Sequence, residues 1–195
     1  MTCCIGAVDK KKHCCYIGAD SCVSADTFHI PTRTAKVMYN KNHRDILWGC
    51  AGSIRMANLI MQDDKMFPES ANTDEIRTGY IIEFIIPVIK EYAESLHPDH
   101  KEFDLILAVK DRLYRIQDDY SVYHVENFVT IGCGCCTAYG AMKAYQSLKE
   151  LGYEKEYPVE GAILQSILIS AGYDYGVDSH VTILKTETEK NKWNT

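Results

Sequence analysis

The chain has 195 residues, 46% hydrophobic and 25% charged, which is ordinary for a globular chain long enough to bury a full core. Its formal net charge is -6 at pH 7, and no basic block is present to neutralise phosphates, so nucleic acid is not an expected partner. The longest apolar stretch, residues 80–89, is interrupted by Glu83 and Pro87, and no signal peptide is recognisable, so neither secretion nor a membrane span is expected. We therefore expect one cytoplasmic domain over residues 1–195.

The chain contains nine cysteines, an unusual and odd number. Without a signal peptide, they are expected to be reduced thiols that pack as small hydrophobic side chains. The cluster at residues 133–136 suggests a metal site that residues 3–4 and 14–15 could complete. That spacing is not the paired C-x-x-C of a zinc ribbon, however, and neighbouring strand residues point to opposite faces. We therefore expect neither a metal nor a cofactor.

The N-terminal half begins with strand-like runs and continues into helices. Apolar-leaning runs between polar turns predict strands at residues 3–8, 14–19, 35–39 and 45–50. Ser53 is suited to the N-cap of a helix, because apolar residues recur after it at near-helical spacing. A longer helix is predicted to open at Thr73 and Ile76 and to end at Pro98. We expect a kink or a break at Pro87, since proline lacks the N–H that continues a helix.

The C-terminal half repeats this order. Strands are predicted at residues 103–109, 113–116, 128–131 and 180–184, and helices at residues 137–151 and 158–171. Several consecutive strands are followed by several consecutive helices, whereas a doubly wound sheet alternates one strand with one helix. This order favours antiparallel sheets that are packed between layers of helices. Residues 187–195 are expected to form a frayed, charged tail.

Thr2 carries the chemistry that the residues suggest most directly. Removal of Met1 would expose a threonine whose hydroxyl and free α-amine belong to one residue. A threonine hydroxyl is a weak nucleophile unless a base lies beside it, and an N-terminal amine is such a base. That amine has a reference pKa of roughly 7.7–8.0, so neighbouring groups must lower its pKa. Asp20 and Lys36 are residue types that such a site needs.

Several short motifs, taken together in their order and spacing, resemble the proteasome β-subunit family, including the peptidase subunit of the bacterial two-component ATP-dependent protease. They are Thr2 after Met1, Gly18-Ala19-Asp20-Ser21, Lys36-Val37, Gly49-Cys50-Ala51-Gly52, Gly132-Cys133-Gly134 and Asp174. The helix start at Ser53 also resembles small proteasome-like proteins of bacteria and their phages. The resemblance covers nearly the whole chain. It implies an N-terminal nucleophile (Ntn) hydrolase fold, a four-layer αββα sandwich of two antiparallel sheets between helix layers.

The resemblance also implies a role for individual residues. Thr2 would be the nucleophile with its own amine as the base, and Asp20 would orient Lys36, whose charge would lower the pKa of the hydroxyl. The backbone N–H of Gly49 would stabilise the tetrahedral oxyanion. Asp174 would form a hydrogen bond near the amine.

Cys133 departs from the family pattern, because the family usually has a serine there that helps to hold the N-terminal amine. A thiol is a weaker hydrogen-bond partner, and a second late serine of many members has no clean counterpart. If Cys133 replaces the serine, its side chain is expected in contact with Thr2 and is expected to react with oxidants. The alternative is a buried, hydrophobic thiol.

Two functions follow as hypotheses. The first is a threonine-type peptidase subunit of a homo-oligomeric ring, hexameric or heptameric and single or doubled, which cleaves peptides or unfolded proteins with an ATPase unfoldase as a partner. The second is a catalytically silent, proteasome-like structural or assembly subunit that keeps the sandwich and the ring contacts without the chemistry.

Overall fold

The structure is a computed structural model, which describes residues 2–25, 28–31, 36–63, 65–96, 102–152 and 158–187. The strands are β1 (Cys4–Asp9), β2 (Cys14–Asp20), β3 (Cys22–Ala25), β4 (Phe28–Pro31), β5 (Val37–Tyr39), β6 (Ile46–Gly52), β7 (Phe103–Val109), β8 (Arg112–Gln117), β9 (Val122–Val125), β10 (Phe128–Ile131) and β11 (Val181–Lys185). The helices are α1 (Ile54–Gln62), α2 (Thr78–Tyr80), α3 (Ile86–Ser95), α4 (Cys135–Glu150) and α5 (Val159–Tyr173), with a π-helical turn at Ile81–Ile85 between α2 and α3.

The strands form two main antiparallel sheets. The first has the order β10-β1-β2-β11, and the second has the order β5-β6-β7-β8-β9. The strands β3 and β4 form a separate two-stranded hairpin. Because β1 is a central strand of the first sheet, both of its edges are occupied, by β10 on one side and by β2 on the other.

Three groups of buried apolar side chains stack the elements into four layers. One group, which includes Ile17 and Ile106, lies between the two sheets. The second joins the outer face of the first sheet to α4 and α5. The third joins the outer face of the second sheet to α1 and α3, around the fully buried Trp48. The architecture is therefore the αββα sandwich that the sequence predicted.

The cysteine pairs follow the alternation of the strands. Cys3 packs on the helix side of the first sheet, whereas Cys4 packs between the sheets. Cys14 and Cys15 divide in the same way, because successive strand residues point to opposite faces. Neighbouring thiols in these pairs are therefore turned away from one another and serve as core side chains.

The remaining elements confirm most of the predicted strands and helices. The helix after Ser53 begins at Ile54, and Met56 N–H donates to Ser53 Oγ at 3.3 Å, as an N-cap requires. The strand β9 and the β3–β4 hairpin were not predicted. Every helix within the described ranges is too short or too polar to cross a bilayer.

The long helix differs from its prediction at two points. It begins at Thr78, because Thr73 is bound elsewhere: its hydroxyl donates to Asp45 at 2.6 Å, and Arg112 donates to its carbonyl at 2.7 Å. Before Pro87 the helix widens into the π-helical turn, in which Ile86 N–H donates to Ile81 O. The backbone hydrogen bonds therefore change from i→i+4 to i→i+5 spacing just before Pro87, which has no N–H to donate to the helix.

Only the first residue of the predicted tail is described. Glu187 N–H donates to Arg44 O at 3.0 Å, and its carboxylate accepts a hydrogen bond from Arg44 Nε at 2.6 Å. Residues 188–195 lie outside the described residues.

Candidate active site

Thr2 lies two residues before the first residue of β1, and this end of the strand faces a cleft. Extending the register of β1 by two residues places Thr2 between Ser21, on the β2 side, and Cys133, on the β10 side. The residue is 6% exposed and lines a cleft of about 380 Å³. Its position between two neighbouring strands follows from the sheet order and not from any local signal around residue 2.

Asp20 ends β2, and its side chain has no exposed surface. Its Oδ1 accepts hydrogen bonds from Cys3 N–H at 2.7 Å and from Lys36 Nζ at 3.0 Å. Its Oδ2 accepts from Lys36 Nζ at 3.0 Å, from Cys22 N–H at 3.0 Å and from Asp178 N–H at 3.3 Å. A buried carboxylate is costly unless it is paired and hydrogen-bonded, and these donors satisfy both of its oxygens.

Lys36 reaches Asp20 from the second sheet. Its backbone is held beside β6, because Cys50 N–H donates to Lys36 O at 3.0 Å. Its side chain is 6% exposed, and the ammonium lies 3.0 Å from each carboxylate oxygen of Asp20. Since Asp20 also accepts from the N–H of Cys3, one network joins the ion pair to the residue that follows Thr2.

Gly49 lies inside the second sheet, and the Thr2 cleft is lined by other residues. Because Cys50 N–H is directed to Lys36, the alternation of an antiparallel strand directs Gly49 N–H the other way, into the ladder with Ile106. A Cβ at Gly49 would lie 2.8 Å from Cys4 Sγ, so this glycine packs between the sheets. The oxyanion role that the resemblance implied for Gly49 therefore does not fit the geometry, since its N–H is committed to the sheet.

Gly52, at the end of the same motif, does line the cleft beside Thr2. Its φ of 93° lies in the left-handed region, and a Cβ there would lie 2.6 Å from Glu102 O, so glycine is required. Cys50 N–H is directed to Lys36 on the β5 side, and the alternation along β6 directs the N–H of Gly52 to the same side, away from β7. Sequence reasoning missed this residue, although Ala51-Gly52 belonged to the motif that it quoted.

Cys133 contacts the backbone of Thr2 directly. The Thr2 nitrogen donates to Cys133 Sγ at 3.3 Å, and Cys133 Sγ lies 3.4 Å from Thr2 O, which also accepts from Gly134 N–H at 3.3 Å. Gly132 makes this approach possible, because its φ is 90° and a Cβ there would lie 2.2 Å from Thr2 O. Cys133 is exposed, unlike the cysteines of β1 and β2.

Asp174 lies at the end of α5, where its N–H donates to Ser170 O at 2.7 Å. Within the described part of the chain, its buried Oδ2 has no hydrogen-bond partner. Burial raises the pKa of the nearby Cys3 thiol to about 12, and the charges of Asp20 and Asp174 add to this effect. Asp174 therefore lies near Cys3, the residue that follows Thr2, with one carboxylate oxygen unpaired among the described residues.

Asp178 is a member of the network that sequence reasoning did not find. Its N–H donates to Asp20, and its carboxylate accepts from Ser21 Oγ at 3.3 Å and from His180 N–H at 2.8 Å. Burial alone would raise the pKa of Asp178, but the hydrogen bonds from His180 and Ser21 hold that pKa below its ordinary value. No motif marks this residue, because its role depends on the approach of the loop before β11 to the end of β2.

The cleft beside Thr2 has an acidic wall formed by Glu102, Asp104 and Asp118. Asp104 is paired with Arg115, whose Nε and Nη2 lie 2.9 and 2.6 Å from its two oxygens. A second, more apolar groove of about 330 Å³ lies at the opposite end of β1, and none of the predicted site residues lines it.

Comparison with solved structures finds this architecture at low sequence identity. Eukaryotic HslV from Trypanosoma brucei has a TM-score of 0.69 and 18% identity, covering 95% of this chain and 99% of that one. BPH from Thiobacillus denitrificans, in complex with epoxomicin, has a TM-score of 0.69 and 15% identity, covering 94% and 98%. Anbu, an ancestral β-subunit from Yersinia bercovieri, has a TM-score of 0.69 and 14% identity, covering 94% and 81%.

No family model and no curated protein matches the chain. Likeness at these identities shows the fold alone. The matches nevertheless extend over nearly the full chain, and they agree with the sheet order and layers described above. The chain therefore has the Ntn-hydrolase fold of proteasome-like β-subunits.

Proposed function

We propose that the chain is an N-terminal threonine peptidase subunit, active after cleavage of the Met1–Thr2 bond. The observation that carries the proposal is the enclosed Asp20–Lys36 pair, which is joined through Cys3 N–H to a threonine on a cleft wall. A buried ion pair is weak evidence for stability, because well-packed hydrophobic residues often serve a fold equally well. A buried pair that is hydrogen-bonded to the residue after a hydroxyl nucleophile has a chemical role instead.

In the proposed reaction, Thr2 Oγ attacks the carbonyl carbon of a peptide bond while the Thr2 amine accepts the hydroxyl proton. The ammonium of Lys36 favours the anionic form of the hydroxyl, and Asp20 holds Lys36 in place. The peptide C–N bond then breaks as the amine returns its proton to the leaving nitrogen. Water hydrolyses the resulting ester and regenerates Thr2.

The developing oxyanion needs a backbone donor that is not committed to the sheet. We assign this role to the N–H of Gly52 in place of Gly49, because Gly52 lines the cleft and its N–H is turned away from β7. Preorganised donors of this kind are worth about 2.7–4 kcal/mol each in other hydrolases. Cys133 Sγ lies 3.3 Å from the Thr2 nitrogen and is suited to holding the amine.

Assembly belongs to the same proposal. We expect a homo-oligomeric ring in the cytoplasm, hexameric or heptameric and single or doubled, that receives peptides or unfolded proteins from an ATPase unfoldase. The fold of proteasome-like β-subunits supports this expectation, and light scattering of the purified protein measures the subunit number.

A catalytically silent structural or assembly subunit is the second candidate. It is favoured by the thiol of Cys133, which offers the Thr2 nitrogen a weaker hydrogen-bond partner than a hydroxyl would. In that case Met1 would remain attached, and the Thr2 nitrogen would stay a peptide nitrogen.

The first experiment combines intact-mass measurement with the Thr2→Ala variant. Active preparations should lack Met1, and Thr2→Ala should abolish peptide cleavage while assembly is unchanged, because the substitution removes the hydroxyl and one methyl group and keeps the backbone and the amine. Thr2→Ser, which keeps a hydroxyl and an amine, is the matched control and should retain cleavage. An epoxyketone probe should label residue 2 of the wild-type protein. Retained Met1 with cleavage, or unchanged turnover of Thr2→Ala, would refute the nucleophile assignment.

A further inference from the structure

We propose that Cys133 and the Thr2 nitrogen form a reversible sulfenamide, an oxidative S–N cross-link that switches the site off. This inference rests on the proposed function, since it takes the Thr2 nitrogen to be a free amine. The modification would make the peptidase responsive to hydroperoxides through Cys133, a residue that departs from the family pattern.

The two reacting atoms are already neighbours. Cys133 Sγ lies 3.3 Å from the Thr2 nitrogen, and the register of β1 with β10 places the two residues opposite each other. A second contact, at 3.4 Å to Thr2 O, keeps the sulfur on the backbone of Thr2. Bond formation therefore requires only a small closing movement, and Gly132 and Gly134 flank the cysteine on its loop.

The thiol is also accessible to a small oxidant. Cys133 is exposed, and it lines the same cleft as Thr2, whereas the cysteines of β1 and β2 are buried. Oxidation of cysteines is selective for exposed thiols. Cys133 is therefore more accessible to a hydroperoxide than the cysteines of β1 and β2 are.

A disulfide with a neighbouring thiol is the competing outcome. Cys3 is the buried neighbour, but its thiol is directed to Gly134 O, and burial raises its pKa to about 12, so it is rarely a thiolate. The sulfurs of Cys135 and Cys136 lie 3.9 Å from each other, and burial also raises the pKa of Cys135. The Thr2 amine is the better placed nucleophile.

The cross-link between Cys133 and Thr2 forms in two steps. The Cys133 thiolate attacks a peroxide oxygen, so an S–O bond forms, the O–O bond breaks, and hydroxide leaves and takes a proton. The amine lone pair of Thr2 then attacks the sulfenic sulfur, an S–N bond forms, the S–O bond breaks, and water leaves with one amine proton. The bonded nitrogen no longer serves as the base for Thr2 Oγ. A small thiol reverses the link by attacking the sulfur, which frees the amine, and a second thiol then releases Cys133.

The test treats the assembled protein with hydrogen peroxide and measures intact mass and free thiols after denaturation without reductant. A sulfenamide removes two hydrogens, about 2 Da, and consumes one thiol, whereas a disulfide has the same mass loss but consumes two. Eight of the nine thiols should therefore remain alkylatable. Trypsin should leave residues 2–10 joined to residues 116–143, and dithiothreitol should separate them and restore peptide cleavage.

Variants separate this proposal from its alternatives. Cys133→Ser should lose the cross-link, and Cys136→Ser, a matched exposed thiol of the same segment, should keep it. Thr2→Ala should also form the link, because it retains the amine although it lacks the hydroxyl. Seven remaining thiols, or a stable gain of about 16 Da, would overturn the cross-link alone. Retained Met1 would overturn the proposed function and the cross-link together, and it is visible by mass before any oxidant is added.

Discussion

The two sides of Thr2 contrast in how they are held. On one side, the carboxylate of Asp20 is fully buried and accepts five hydrogen bonds, two of them from Lys36 at 3.0 Å. On the other side, the exposed Cys133 contacts Thr2 through sulfur at 3.3 and 3.4 Å. The comparison shows that the charged pair joined to Cys3 is enclosed and fully hydrogen-bonded, whereas the Thr2 nitrogen is held by a weaker contact with an exposed thiol.

Removing the carboxylate should produce the largest effect on the buried side. Asp20→Ala leaves the Lys36 ammonium and three backbone N–H groups without their acceptor, and we expect a loss of about 3–5 kcal/mol in the free energy of unfolding. Urea unfolding measures this loss. Asp118→Ala, at an exposed position of the cleft, should change stability by no more than about 0.5 kcal/mol. Equal losses in the two variants would contradict a special role for burial at Asp20.

Removing the cation should mainly affect chemistry. Lys36→Ala should lower kcat/KM for a peptide substrate by several orders of magnitude, because the proposed mechanism uses the Lys36 cation, held by Asp20, to favour the anionic hydroxyl. Lys10→Ala, on the exposed turn after β1, is the control and should leave kcat/KM unchanged. A loss of less than tenfold, about 1.4 kcal/mol, would reduce Lys36 to a structural partner of Asp20.

Substitution of Gly49 and of Gly52, both on β6, should lower stability in each case but should affect catalysis differently. Gly52→Ala forces an unfavourable φ and a close approach to Glu102 O, and Gly49→Ala overpacks the space between the sheets, so each should cost about 1–3 kcal/mol of stability. Only Gly52→Ala should also reduce kcat per folded subunit. Titration of active sites with the epoxyketone probe, together with circular dichroism, separates the two effects. A reduced kcat in Gly49→Ala alone would return the oxyanion role to Gly49.

Substitution of Cys133, on the exposed side of Thr2, should have the smallest effect on stability. Cys133→Ser should alter the free energy of unfolding by no more than about 0.5 kcal/mol, and peptide cleavage should be kept or raised, because a hydroxyl is a stronger partner for the Thr2 nitrogen. Thermal unfolding and kcat measure the two quantities. A marked fall in Tm with a proportional loss of activity would instead indicate that the thiol is a packing residue.

Much of the fold could be predicted from the sequence, because strands and helices depend on the pattern of apolar residues within each segment. The alternation of strands and the periodicity of helices predicted most elements, and strand runs followed by helix runs predicted the sandwich. The start of the long helix escaped prediction, because Thr73 is held by Asp45 and by Arg112, which lie far from it in sequence. The short strand β9 offers two exposed side chains in four residues, too weak a pattern to stand out.

For the site, the sequence by itself determined which residue types were available: a threonine at position 2, a carboxylate at the end of β2 and a lysine before β5. The tertiary structure alone decided which backbone N–H groups of β6 are paired within the sheet, because the direction of an N–H depends on strand pairing. That pairing commits Gly49 to the ladder and leaves Gly52 at the cleft. It also decided the contact between Thr2 and Cys133, since residues 131 positions apart meet only when β10 pairs with β1.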